Sequence, residues 1–411
     1  MQDQAEIAAG DARLQAFGGN RTALVVFLGV SGTLFLMAVV VAVAFILTAD
    51  GTPRTLDSDF RVFWAAARIF LSGDPLAAFD DARLDIEYGE VTEVWMPWLY
   101  PPGFLFLVAP FGLLPYAVAF LAMTLLSVAA MALAARPFTG GVRPVLAALA
   151  LAPAYLPALV IGQNSLIWLA VLLAALHALR SGRAVLAGVI IGCLTLKPQL
   201  GLLIPIALLA AWQWRTILAA AITTILLAAL PTLVTGVEYW LLLVGKLGLH
   251  ADSMVTLSAE LDLTVGPFFL ARMLGLPTPA ALALQWAITG IAAVSVFVFW
   301  RSPCIAFDAK VALLMIAILL SAPYLWYYEA AMMPAIGLFL LRAGFLTTRP
   351  LHCVLLFFLW IGAGLQSANV FLHLVPDRYL GGVIVTPVLL IAFALCWRHF
   401  LREKRDAAGI A

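Results

Sequence analysis

From Thr22 to Leu47 the chain reads TALVVFLGVSGTLFLMAVVVAVAFIL, without a single charged side chain. That exceeds the ~20 residues an α-helix needs to cross a bilayer. It also exceeds the roughly 7–15 apolar residues of a signal-peptide core, so the segment reads as a retained anchor. Inside lipid every backbone N–H and C=O must be satisfied within the protein, which leaves helices as the natural element for such a run. The rest of the chain agrees: 64% of its 411 residues are hydrophobic and 11% are charged, against about a quarter charged in soluble domains.

Apolar runs recur along the whole length, near 22–48, 116–136, 144–160, 164–180, 184–197, 198–212, 216–235, 279–300, 310–322, 329–342, 351–372 and 380–398. The expected fold is all-α, a single polytopic membrane domain over 1–411 with about 11–13 transmembrane helices. Runs 184–197 and 310–322 are short for a span, and Pro198 and Pro323 stand where each would end or kink. Gly/Ser linkers and sequence repeats are absent. The four cysteines (Cys193, Cys304, Cys353 and Cys396) have neither metal-ligand spacing nor a disulfide framework.

Charge sets an orientation. With a cytoplasmic N-terminus, fifteen of the 23 basic residues fall on the inner side, Arg136, Arg143, Arg180, Arg183 and Arg342 among them. This follows the positive-inside rule, and both termini are then cytoplasmic. Sixteen of the 22 acids fall outside. The two long loops, 50–116 and 236–278, face the same acidic outer side, and long loops in compact proteins usually carry function.

The first outer loop contains TLDSDFRVFWAAARIFLSG, Thr55–Gly73. Apolar residues at 60, 63, 64, 67 and 71 share one helical face. They predict an interfacial helix with Phe60, Phe63 and Trp64 dipped into lipid or packed on the bundle. Asp57, Ser58 and Asp59 stand at its N-terminus, where one oxygen suffices as a cap and a carboxylate suits the positive dipole end. A second carboxylate is left over. A short apolar piece between Pro102 and Pro115 is too brief to span, and Trp95, Trp98 and Tyr100 before it are either sugar-stacking or belt aromatics.

Three further polar groups interrupt apolar sequence at outer tips: Gln163, Asn164 and Ser165 in LVIGQNSLIW, Lys197 in GCLTLKPQLG, and Tyr327, Tyr328 and Glu329 in LSAPYLWYYEAAMMP. Ionisable residues near membrane depth are expensive and default to function. The alternatives are a turn with a cap for Gln163 and Asn164, snorkelling for Lys197, and an N-terminal carboxylate for Glu329. All are expected on the side of Asp59. A carboxylate, amides and an ammonium converging there would activate a hydroxyl and hold a phosphate. Neither G-x-x-x-x-G-K-[ST], nor a G-x-G-x-x-G opening a helix, nor H-E-x-x-H occurs, so the donor is not expected to be a cytoplasmic nucleotide.

In this order the pieces DFRVFWAAARIFLSGDPL, YPPGFLFLVAPFGLLPYAVAF, IGQNSLIWLAVLLAALHALRSGRAVLAGVIIGCLTLKPQLGLLIPIALL and SAPYLWYYEAAMMPAIGLFL resemble glycosyltransferase family 87, a polytopic polyprenyl-phosphate-mannose-dependent family. The resemblance implies a C-type glycosyltransferase-like fold in the cell (inner) membrane with an extracytoplasmic active site. It implies a hexosyltransferase that takes a hexose, mannose foremost, from a polyprenyl-phosphate donor to a lipid or glycan hydroxyl, with inversion. It assigns the catalytic base to Asp59, with Asp57 the second candidate; Asp57, Trp64 and Tyr100 are candidate supports. Lys197, Gln163, Asn164, Tyr328 and Glu329 are then the donor phosphate and sugar ligands. The motif departs at Tyr327-Tyr328-Glu329, where many relatives carry Tyr-Asp. Membrane lipids are the expected surroundings and nucleic acid is not a partner. No cofactor is expected, although the D-x-D spacing of Asp57 and Asp59 leaves a divalent metal open. The competing class is a transporter or flippase for a lipid or glycan, which would place polar groups near the midplane of repeated halves. Here they gather at one set of tips.

Overall fold

The computed structural model describes residues 2–48, 58–88, 96–256, 264–322, 324–366 and 380–407. Asp57 and Trp95, and Pro323 at the end of run 310–322, lie outside them. Among the described residues no strand forms; one isolated antiparallel bridge joins Thr264 to Trp326. Nearly everything else is helix: α1 (Gln2–Gly18), α2 (Arg21–Thr48), α3 (Ser58–Leu71), α4 (Asp81–Tyr88), α5 (Pro102–Gly112), α6 (Tyr116–Ala135), α7 (Arg143–Ala150), α8 (Leu156–Val160), α9 (Ser165–Arg180), α10 (Ala184–Cys193), α11 (Ile204–Ala210), α12 (Trp214–Thr235), α13 (Glu238–Thr256), α14 (Pro267–Met273), α15 (Thr278–Arg301), α16 (Phe307–Ser321), α17 (Met333–Arg342), α18 (Pro350–Ile361) and α19 (Leu380–Ala407). The chain is an all-α polytopic membrane bundle.

Each of the twelve apolar runs holds a helix, but they are not equivalent. By length and composition, five segments can cross a membrane alone: Tyr116–Phe138, Arg143–Val160, Trp214–Thr235, Thr278–Arg301 and Gly382–Arg405. Gln4–Gly18 and Arg21–Met37 pass together as a pair bent by 78°. The remaining runs are shorter, for identifiable reasons. Run 198–212 opens with a 3-10 turn at Pro198–Leu200 and resumes only at Ile204, because proline removes a backbone donor and limits the residue before it. Run 310–322 lies in α16, whose residues from Asp308 to Ser321 are buried almost without exception. A helix apolar on every side belongs to a protein core, and α15, α17 and α19 cover it.

α12 is the opposite case. Leu218, Ile225, Leu230 and Leu233 are exposed, which suits a helix facing lipid. It packs tightly on α10 through Gly188 and Gly192, four residues apart. A Cβ on either would strike Thr216, Ala219 or Thr223 of α12. Small residues at this spacing let helix backbones approach closely where lipid supplies no hydrophobic drive.

A buried ionic cluster closes the bundle at the Arg180 end of α9. Arg342 is fully buried and donates from Nε to Asp308 Oδ2 (2.8 Å) and from Nη1 to Asp11 Oδ1 (2.6 Å) and to the Phe138 carbonyl (2.9 Å). Arg180 donates to the Pro137 carbonyl (2.9 Å), and Arg13 of α1 donates to the Arg342 carbonyl (2.6 Å). The expected inner-side charges are therefore partly interior, fastening α1 to α17.

Candidate active site

The helix predicted after Asp59 forms as α3, and its aromatic face is settled. Phe60 and Phe63 are 1% and 2% exposed, so they pack on the bundle and do not enter lipid. Phe60 meets Phe111, Tyr116 and Phe120, and Phe63 meets Trp98, Tyr100 and Phe104. Trp64, half-buried against the same cluster, donates from Nε1 to the Leu114 carbonyl (3.0 Å) and lies edge-on to Tyr116. Its part is to anchor α3.

The N-terminus of α3 is pinned to the turn between α8 and α9. Phe60 N–H donates to the Ile161 carbonyl at 3.0 Å. The next residue, Gly162, has φ +70°, and a Cβ there would fall on Phe60. Only glycine meets both demands. Gly162→Ala is expected to cost about 3 kcal/mol, left-handed strain and overpacking together, read as a lowered thermal-unfolding midpoint in detergent.

This pinning brings the predicted residues together. Gln163 Nε2 donates to Asp59 Oδ2 at 2.7 Å. Gln163 Oε1 accepts from the Tyr100 hydroxyl (3.3 Å) and from Asn164 N–H (2.8 Å), so the amide's orientation is fixed by donors on one side and an acceptor on the other. Burial and then the Asp59 carboxylate push the Tyr100 phenol above its usual range, which keeps it a protonated donor. Asn164 does not cap α9 with its side chain; its Oδ1 accepts from Lys197 Nζ at 3.3 Å.

Lys197 does not snorkel. It is 3% exposed, between two 3-10 turns, Leu194–Leu196 and Pro198–Leu200. Its ammonium is 3.3 Å from Glu329 Oε1 and 5.0 Å from the centre of the Tyr328 ring. Glu329, 2% exposed, serves two needs. Its second oxygen accepts from Trp326 N–H at 3.2 Å, as an N-terminal carboxylate should, while the first faces Lys197. Trp326 and Tyr328 lie nearly parallel, 6.1 Å apart. Thr264 of the second long loop pairs with Trp326, and Val265 N–H donates to the Leu325 carbonyl (2.8 Å).

The result is a continuous polar string, carboxylate–amide–amide–ammonium–carboxylate, from Asp59 through Gln163, Asn164 and Lys197 to Glu329. It is assembled from four places far apart in sequence. Chemically it offers an acceptor for a proton at one end and a cation, backed by the Glu329 carboxylate, toward the other. Among the described residues no group of three or more His, Cys, Asp or Glu side chains is arranged to hold a metal. Asp57, the partner in the D-x-D spacing, lies outside those residues.

Sequence reasoning missed Tyr239, on α13. Its hydroxyl accepts from Trp98 Nε1 (2.5 Å) and donates to the Tyr100 carbonyl (3.0 Å), so it fixes the strand of chain carrying Tyr100. A tyrosine in an apolar stretch gives no signal of a partner about 140 residues away. Tyr239→Phe is expected to cost about 1–3 kcal/mol by orphaning the buried Trp98 N–H, measured as the same midpoint shift.

Compared with known proteins, the chain matches the family model of glycosyltransferase family 87 over residues 98–323. No curated protein and no solved structure matches it. The matched region holds Tyr100, Gln163, Asn164 and Lys197; Asp59 lies before it and Tyr328 and Glu329 just after. A match over more than half of the chain, on a polytopic bundle whose polar side chains converge at one end of α9, decides the matter: the chain belongs to glycosyltransferase family 87 and is a membrane glycosyltransferase.

Proposed function

We propose that this glycosyltransferase moves a hexose, mannose foremost, from a polyprenyl-phosphate donor to a hydroxyl of a lipid or glycan, inverting the anomeric centre, at the extracytoplasmic face of the cell membrane. The observation that carries the reading is the buried Lys197 ammonium, tied through Asn164 and Gln163 to the Asp59 carboxylate. An ammonium has three donors. Among the described residues Asn164 and Glu329 take two, and the third is offered to a phosphate oxygen of the donor.

Asp59 acts as general base. It takes the proton of the acceptor hydroxyl as that oxygen bonds to the anomeric carbon. The bond from this carbon to the phosphate oxygen breaks, and the electron pair leaves with the polyprenyl phosphate. A single displacement from the opposite face inverts the centre. Gln163 aims the Asp59 carboxylate, since its amide is itself fixed by Tyr100 and Asn164. Lys197 offsets the charge growing on the departing phosphate, and this effect is strong where water is excluded. Tyr328 and the parallel Trp326 offer flat faces beside the cation. Trp64 and Tyr100 support the first turn of α3, which carries the base, and Asp57 is a further candidate for that support. The extracytoplasmic placement rests on the asymmetry of basic residues, and the domain is taken as one unit with 50–116 and 236–278 as its working loops.

The test is transfer in sealed vesicles from labelled polyprenyl-phosphate mannose. A new glycosidic bond of the opposite anomeric configuration is expected. Movement of the labelled lipid between leaflets with no new bond would overturn the reading and return the chain to the flippase class.

A further inference from the structure

Away from this site, α6, α9 and α10 enclose an open groove of about 540 Å³. Its floor follows from sequence. Ala170, Ala174 and Ala178 recur every four residues on α9, so one face of that helix has no bulk. Larger side chains on the flanking helices, such as Leu133 and Leu186, form the rims. The volume lies within the ~300–1,000 Å³ of small-molecule sites.

Length and polarity then constrain the occupant. The groove runs along α9 from Ile167 to Ala178, about 16 Å at 1.5 Å per residue. That is about half of a ~30 Å hydrocarbon core, the depth of one leaflet. Its polar groups gather at one end, the end away from Asn164 and Lys197. There His177 and Arg183 line it, and Arg136 adjoins Pro137 on its rim. Arg183 and Arg136 are exposed and no side-chain hydrogen bond or ion pair among the described residues engages either. His177 Nδ1 is buried and makes no hydrogen bond among the described residues. An uncharged lipid chain would satisfy the walls and leave three cationic or polar groups idle.

We propose that this groove binds an anionic phospholipid from the leaflet opposite the candidate active site, one acyl chain along the alanine face of α9 and the phosphate at Arg183, His177 and Arg136. The site is distinct from the sugar-transfer site, since its polar end lies at the other end of α9. It does not depend on which sugar or acceptor the enzyme uses.

The test is native mass spectrometry of the full chain, delipidated in detergent and titrated with phosphatidylglycerol or phosphatidylcholine. One phosphatidylglycerol should be retained, with about fivefold preference for each arginine engaged. Arg183→Gln, at an exposed turn that no packing depends on, should remove most of that preference. Ala174→Trp, which fills the groove, should lower retention of both lipids. Equal retention of the two lipids by the unaltered chain, or an unchanged preference in Arg183→Gln, overturns the proposal. So does displacement of the retained lipid by an equal concentration of polyprenyl phosphate, which would make the groove part of the donor's path. Since the readout is bound lipid, loss of sugar transfer for any other reason leaves the result unaffected.

Discussion

Asp59→Asn is expected to lower the rate of sugar transfer by about 10²–10⁴-fold, the range attributed to a positioned general base, while the protein stays folded. The substitution keeps the side chain's size and an oxygen that can accept from Gln163 Nε2, now 2.7 Å away. It removes the negative charge that faces Tyr100 and, with it, the ability to take up a proton from an acceptor hydroxyl. The helix carrying it is held by other means: Phe60 N–H on the Ile161 carbonyl, the close approach at Gly162 and the Trp64 indole on Leu114. Structural loss is therefore not the expected result, and an unchanged thermal midpoint checks this. The measurement is initial-rate transfer in vesicles at several donor concentrations. A base should lose kcat with KM for the donor little changed. A rise in KM alone would make Asp59 a donor-binding group, and full activity would remove it from the reaction.

The sequence made the candidate site readable because its members are polar where lipid or core demands apolar residues. Gln163, Asn164, Lys197 and Glu329 each stand out within an uncharged run, and bilayer physics turns that contrast into a signal. The same contrast fails for aromatic residues. Phe60 and Phe63 suit a lipid interface and a protein core equally well, and the choice is made by Phe111, Phe120 and Phe104, which periodicity does not reveal. Trp64 shares their helical face and packs on Tyr116 as Phe60 does, while its indole N–H is taken by the Leu114 carbonyl, a partner no periodicity names. The ionic cluster at the other end was hidden differently. Arg342 obeys the charge rule for loops, but Asp11 and Arg342 are more than three hundred residues apart, and no local pattern joins them. Span lengths misled for a related reason: α16 is apolar because other helices surround it, so its hydropathy reports core as readily as membrane.

The Lys197–Glu329 pair separates what this site contributes to the fold from what it contributes to the reaction. Both side chains are almost completely buried, and removing one partner of such a pair strands the other charge, at about 3–5 kcal/mol. Among the described residues, Glu329→Ala leaves the ammonium with Asn164 Oδ1 and the Tyr328 ring face alone, and Lys197→Met leaves the carboxylate with the Trp326 N–H alone. Each is expected to lower the thermal midpoint sharply. The double variant Lys197→Met, Glu329→Gln has no stranded charge, and neutral replacements of a buried pair are often neutral or stabilising, so most of the lost stability should return. Transfer should not return with it. Losing the only cation in the polar string should cost about 10²–10³-fold in kcat, the scale of one lost transition-state donor, in a protein that melts near its normal temperature. Should the double variant recover transfer together with stability, the ammonium would be a structural counter-ion, and the departing phosphate would have to be stabilised by other groups.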